Sequence, residues 1–193
     1  MTRQMPLRLP TLPANDIALL AEGRHPDPFA VLGAHVVEDI HLVRAFLPGA
    51  NYVELITGQG EDRRATPMIG RGDGLFEAPC PAATPYRIRT AWPGGITEAA
   101  DPYSFGLLLS DDDVYLVAEG RHFDLSTRLG ANLRSIDGID GVLFAVWAPN
   151  ASHVAVVGDF NGWDNRRHPM RRRLGAGIWE LFIPGIREGA VYK

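Results

Sequence analysis

Asp16 to His35 reads DIALLAEGRHPDPFAVLGAH, and Asp113 to Asn132 reads DVYLVAEGRHFDLSTRLGAN. The two align without a gap at an offset of 97 residues, and 11 of the 20 positions are identical. A match of that density makes the chain an internal repeat, and its period bounds the size of each structural unit. Downstream, VRAFLPGANYVELI (Val43 to Ile56) lies over FAVWAPNASHVAVV (Phe144 to Val157), which pairs Pro48 with Pro149 and Phe46 with Trp147. GLFE at Gly74 pairs with GIWE at Gly177, and PYR ending at Arg87 pairs with VYK ending at Lys193. The offset grows along the way, so loops lengthen while the framework keeps its order.

Each copy has the pattern of strands. Val43 to Leu47 and Phe144 to Trp147 are apolar runs halted by proline, and Tyr52 to Thr57 and His153 to Val157 follow after polar turn residues. Two short helices are expected, Asp16 to Glu22 and Asp112 to Glu119, opened by Asn or Asp and closed by Gly23 or Gly120. The expected fold is all-β: two tandem immunoglobulin-like β-sandwiches, residues 1–109 and 110–193, joined near Gly106 to Asp113. After Tyr86 the first copy continues through RIRTAWPGGITEAADPYSF, whereas the second has one residue after Tyr192. The second sandwich is therefore expected to be an incomplete fragment with an open strand edge.

The totals exclude several classes. A chain of 193 residues with net charge -4 lacks the basic excess of a nucleic-acid binder. The single cysteine, Cys80, has no internal disulfide partner, and MTRQMPLRLPTLP is too polar for a secretory leader or membrane span. A cytoplasmic setting is the default.

Several segments closely resemble the N-terminal region of bacterial glycogen (1,4-α-glucan) branching enzymes: HPDPFAVLGAH, RAFLPGA, GLFEAP, DPYSF, GVLFAVWAPNASHVAVVGDFNGWDNRRHPMRRR and GIWELFIPG. The resemblance spans His25 to Lys193. It implies that a parent protein cleaves α-1,4-glucan and rejoins it as α-1,6 branches, with paired carboxylates on a (β/α)₈ barrel of about 250 residues. None of those catalytic residues falls on this chain, so no catalytic residue and no cofactor is expected here. The implied partners are α-1,4-glucan or glycogen and the catalytic barrel.

Sugar recognition relies on aromatic faces with a few polar groups for orientation. GDFNGWD, Gly158 to Asp164, is the first candidate, because Asn161-Gly162 is a tight-turn signal that would present Trp163. The resemblance adds Trp179 and Lys193 to that site. The alternative for Trp163 is a packing role against a neighbouring domain, and core packing is expected for Trp147. His25, Asp27 and His35 read as loop residues rather than metal ligands, Asp111 to Asp113 as helix-capping charge, and Arg166 to Arg173 as a solvated or interdomain ion-pairing face. The first copy has TGQGEDRRATPM in place of the NGW turn, with no aromatic, so sugar binding is expected in the second module. A free-standing glycogen-binding or scaffolding protein, a purely structural spacer and a trehalose-releasing relative remain open on sequence.

Overall fold

In the computed structural model, residues 9–82 and 84–193 are described. Residues 1–8, part of the stretch read for a leader, lie outside the described residues.

The first repeat opens with helix α1 (Ala14–Ala21) and continues through β1 (Gly33–Val37), β2 (Ile40–Phe46), β3 (Tyr52–Thr57), β4 (Arg64–Pro67), β5 (Ile69–Gly72), β6 (Leu75–Pro79), β7 (Tyr86–Trp92) and β8 (Gly95–Ala100). The second has α2 (Asp111–Ala118), β9 (Gly130–Ile136), β10 (Ile139–Trp147), β11 (Arg171–Arg173) and β12 (Ile178–Pro184). Three antiparallel four-stranded sheets result, ordered β1-β2-β6-β5, β4-β3-β7-β8 and β11-β12-β10-β9. Read from the other edge, the last is β9-β10-β12-β11, the same order as the first sheet. The Phe46–Leu75 pair recurs as Trp147 beside Ile178.

Both helices stand one residue earlier than expected or more. The first follows Pro13, which has no side-chain cap, whereas Ser110 and Asp113 form a reciprocal capping box on the second. The run His153 to Val157 is not a strand. It makes one isolated bridge, Ala155 to Pro169, and a backbone pair between Val157 and Lys193, and a strand needs a continuous ladder.

Each sheet that carries a repeat's LGA strand is covered on both faces. In the first repeat the inner face puts Val43, Ala45 and Ala78 against Val53 and Leu55 of the facing sheet. The outer face puts Phe46 and Leu75 under Leu12, Leu20 and Leu32. In the second repeat Val142, Phe144, Trp179 and Leu181 face inward, and Leu143, Ile178 and Phe182 lie under Phe105 and Leu109. Double coverage explains why β12 is apolar on both faces apart from Glu180, with every residue up to Ile183 buried.

A glutamate sits in the middle of each outer face with its side chain fully enclosed. Glu77 receives Arg44 Nε at 2.9 Å and Arg71 Nε at 2.7 Å, and the same arginines donate to the carbonyls of Pro10 and Leu9. Glu180 receives Arg171 Nε at 2.9 Å and the backbone N–H groups of Leu108 and Leu109 at 3.2 and 3.0 Å. Arg171 donates to Phe105 and Gly106, and Arg173 to Leu109, Asp111 and Glu180. The irregular segment entering each repeat is thus tied to the sheet by a carboxylate and two guanidiniums. Arg171 and Arg173 are buried, not part of a solvated face, because this segment covers them.

Removing Glu180 leaves the Arg171 guanidinium buried without a carboxylate partner and takes from the N–H groups of Leu108 and Leu109 their acceptor. Glu180→Ala should cost about 3–5 kcal/mol by the behaviour of broken buried pairs, measured as a lowered urea midpoint. Arg172→Ala, on the exposed side of β11 between the two clamped arginines, should change stability by less than about 0.5 kcal/mol.

Candidate glucan-binding site

The GDFNGWD segment is shaped from inside by one amide. Asn161 is 1% exposed; its Oδ1 accepts from Gly158 N at 2.9 Å, and its Nδ2 donates to Val156 O and His168 Nδ1, both at 2.8 Å. All its strong bonding capacity toward the loop is used. With Asn161 so held, residues Asp159–Asn161 make a 3₁₀ turn, and the left-handed positions are Gly162 (φ 65°) and Trp163 (φ 60°). The expected hairpin turn centred on Asn161-Gly162 is therefore displaced by one residue, because the asparagine side chain is committed inward.

Trp163 is the aromatic this loop presents. It is 48% exposed, its Nε1 donates to Asp159 Oδ1 at 2.8 Å, and its backbone N–H donates to Gly158 O at 3.0 Å. A left-handed bulky residue costs on the order of 1–3 kcal/mol, and such outliers persist where the surroundings over-determine them. Lys193 joins the same neighbourhood through its backbone, paired both ways with Val157 at 2.8 and 2.9 Å, and its residue surface is exposed.

Two expected contacts fall elsewhere. Trp179 is 2% exposed in the inner core, its Nε1 donating to Ala148 O at 3.0 Å, and Asn161 is enclosed as described. Neither offers a surface to a ligand, since β12 is buried on both faces and the amide is spent on the loop. Trp147 departs from expectation in the opposite direction. It is 59% exposed, whereas its repeat counterpart Phe46 is 2% exposed. His25 Nδ1 accepts from Asp27 N, and His35 Nε2 meets Leu32 O, so both imidazoles serve their own loops. No group of three or more metal-ligating side chains occurs among the described residues.

The loop abuts the first repeat. Arg167 stacks on the Trp92 ring at 4.0 Å and donates to Pro48 O at 3.0 Å, and Tyr103 OH donates to Pro169 O at 3.3 Å. Between the repeats runs a cleft of about 740 Å³, walled by Trp92, Tyr103, Phe160 and Ile186 and reaching Asp101 and His168. These polar groups were not singled out in the sequence; only the fold brings them together.

Residues 13–103 match the family described as alpha-1,4-glucan branching enzyme GlgB, N-terminal domain, and residues 128–193 match carbohydrate-binding module 48 (isoamylase N-terminal domain). The chain is 54% identical over 175 residues to 1,4-alpha-glucan branching enzyme GlgB 1 of Xanthomonas campestris pv. campestris strain 8004, covering 90% of this chain and 24% of that protein. It is 51% identical over 192 residues to the GlgB of Pseudomonas fluorescens strain ATCC BAA-477, covering 99% of this chain and 26% of that protein. This chain belongs to the N-terminal region of the GlgB branching-enzyme family. It spans about a quarter of the length of these relatives. A solved pullulanase from Paenibacillus barengoltzii, in complex with maltohexaose and alpha-cyclodextrin, matches 45% of this chain and 14% of its own at 23% identity, with a TM-score of 0.35.

In this branching-enzyme N-terminal region the NGW loop rests on a buried neutral imidazole. Burial, with the Arg167 charge beside it, holds His168 down to about 4. Across the cleft, burial pushes the Asp101 carboxyl up to about 6, against the hydrogen bonds donated by Tyr86 OH and Tyr103 N. The unfolded chain protonates His168 near pH 6.5 and the folded chain only near 4, so this residue's contribution falls as pH drops through that window. Asp101 acts oppositely, since its folded pKa of about 6 lies above the ordinary aspartate value of 3.8 and favours the folded state at acid pH. Comparison with His168→Gln isolates the imidazole. The stability difference between wild type and variant should shift against wild type by up to about 3 kcal/mol between pH 7 and pH 4, read by urea denaturation at each pH.

Proposed function

We propose that this chain is the α-glucan-handling front part of a 1,4-α-glucan branching enzyme, organised as a first module to residue 109 and a second from residue 110. The parent reaction cuts an α-1,4 chain and reattaches it as an α-1,6 branch, on a catalytic barrel outside this sequence. On this reading the chain is inactive alone and positions either glucan or the barrel. The setting is cytoplasmic. No helix among the described residues is long and apolar enough to cross a membrane.

The observation that carries the reading is Trp163. A large aromatic is held outward in a left-handed conformation, with a carboxylate fixing its indole N–H and a buried asparagine fixing the loop beneath it. That is a preformed flat apolar surface with polar atoms at its rim, the arrangement that suits the apolar face of a pyranose. Lys193, paired through its backbone with Val157, supplies a donor beside the loop.

A second reading has support in the first repeat, which lacks an aromatic turn and contributes Trp92, Pro48 and Tyr103 to the contact with the second. Its part is to position the neighbouring module. The two readings apply to different halves of the chain and do not compete.

Calorimetric titration with glycogen and with maltoheptaose tests the proposal. Saturable binding is expected, weakened about tenfold or more by Trp163→Ala, in line with loss of about 1.4 kcal/mol or more. Binding that is unchanged in folded Trp163→Ala would move the site off this loop. No binding by the folded wild type would leave only the positioning role.

A further inference from the structure

The first sandwich is open along the flank formed by β8. Ile88 and Thr90 of β7 stand beside Ala99 and Thr97 of β8, and Ile88 packs on the inner core. All four therefore share the face turned toward the opposite sheet, yet Thr97 and Ala99 are exposed. Core-side positions that reach solvent form the wall of a cleft. It is the cleft of about 740 Å³ between the repeats, and the second repeat faces these strands with Phe160, Arg167 and His168. Its volume suits a small-molecule site, for which roughly 300–1,000 Å³ is ordinary.

The polar groups on its walls are held in place and unspent. Thr90 is 3% exposed, and its hydroxyl has no hydrogen-bond partner among the described residues. Valine has the same shape and would spare the fold that enclosed hydroxyl, so a threonine at this place calls for a partner from outside the fold. His168 accepts at Nδ1 from Asn161, which puts the ring proton of the neutral imidazole on Nε2, and that N–H has no partner among the described residues. Arg167 spends Nη2 on Pro48 O and leaves Nη1 unbonded among the described residues. Trp92 supplies the apolar wall, with its Nε1 fixed on Thr97 Oγ1 at 2.9 Å and its ring against the Arg167 guanidinium at 4.0 Å. Arg167 and Arg187 are matched along the cleft by Asp159 and Glu188. The walls thus select hydrogen-bonding capacity and an apolar face rather than charge, which is the chemistry of a neutral sugar.

We propose that the cleft between the repeats is a second saccharide site, taking a short stretch of α-1,4-glucan against Trp92 with Thr90, His168 and Arg167 as its hydrogen-bonding groups. The choice of α-glucan rests on the glucan-handling reading above, whereas the site rests on its own walls. One wall comes from each repeat, so an occupied cleft also ties the two modules together, and the first repeat takes part in binding without an aromatic turn of its own.

Residue-resolved titration separates this cleft from the Trp163 loop. Maltoheptaose is added to millimolar concentration to isotope-labelled chain, wild type and Trp163→Ala, and followed by NMR. Saturable shifts are expected at the Trp92 indole N–H and at the backbone amides of Thr90 and Phe160, with the same midpoint in both proteins. Thr90→Val keeps the β-branched shape and removes only the unpartnered hydroxyl. It should weaken binding at Trp92 about fivefold, the loss of one neutral hydrogen bond, and leave the midpoint at the Trp163 indole unchanged. Shifts confined to the Trp163 loop overturn the cleft site and leave the glucan-handling reading standing. Shifts at Trp92 that vanish in folded Trp163→Ala overturn it as well, since they are then transmitted from the loop, and so does an unchanged midpoint at Trp92 in Thr90→Val. Absence of shifts at both places overturns the cleft site and the sugar role of Trp163 together.

Discussion

A carboxylate buried in the centre of each outer sheet face governs how this chain is put together. Taking Glu77 and Glu180 out of water is costly, and two guanidiniums apiece offset that cost only because their geometry is close and their remaining donors also find partners. Those partners are backbone carbonyls of an irregular segment, groups that a sheet ladder cannot satisfy. The ion cluster thus solves two problems at once: it seats a non-repetitive stretch against a sheet and removes its unsatisfied polar groups. With that stretch in place, helix and sheet bury a second apolar layer beneath them.

In the second repeat the clamped stretch is also the connection from β8, so the cluster at Glu180 sets the geometry between the modules. Phe105 and Leu109 enter the second core, while Phe29 of the first repeat lies under Arg171 at 4.2 Å. Arg171 consequently belongs to both the ion cluster and the contact between repeats. Arg167 adds a stacking contact on Trp92 four residues away. The base of the NGW loop is therefore braced by the first module, which has no aromatic turn of its own yet fixes the loop that does.

The duplication, the two sandwich cores and the family were legible in the sequence because strand order and proline stops are local signals that recur at a near-constant offset. The pairing of GLFE with GIWE even brought the two glutamates into register, but nothing local marks a glutamate within an apolar run as enclosed. That depends on arginines from another strand, and position 145, opposite Glu180, is alanine where the first repeat has Arg44. Trp179 entered the candidate site through the family resemblance, and nothing in the alternation of β12 could have corrected it, because a strand with two buried faces carries no periodic signal of exposure. Trp147 misled because burial is a property of what lies above a residue, and its counterpart Phe46 owes its cover to a segment remote in sequence.

Asn161-Gly162 illustrates the limit of turn chemistry as a guide to function. The dipeptide does mark a change of chain direction, but the asparagine acts through its side chain, bonding Gly158, Val156 and His168 at once, and the positive φ angles pass to the following two residues. The strain at Trp163 is then held by enclosed hydrogen bonds beneath it and by Asp159 at the rim. A loop fixed in this way loses little further freedom when a ligand arrives, and the ordering of interface groups is a leading cost of association. The neutral state of His168 fits the same logic, since its Nδ1 must remain an acceptor for Asn161, and burial beside Arg167 keeps the proton away from it at neutral pH. Aromatic exposure at this turn is consequently a product of buried polar bonding, and the polarity of the loop interior is what makes its apolar surface available.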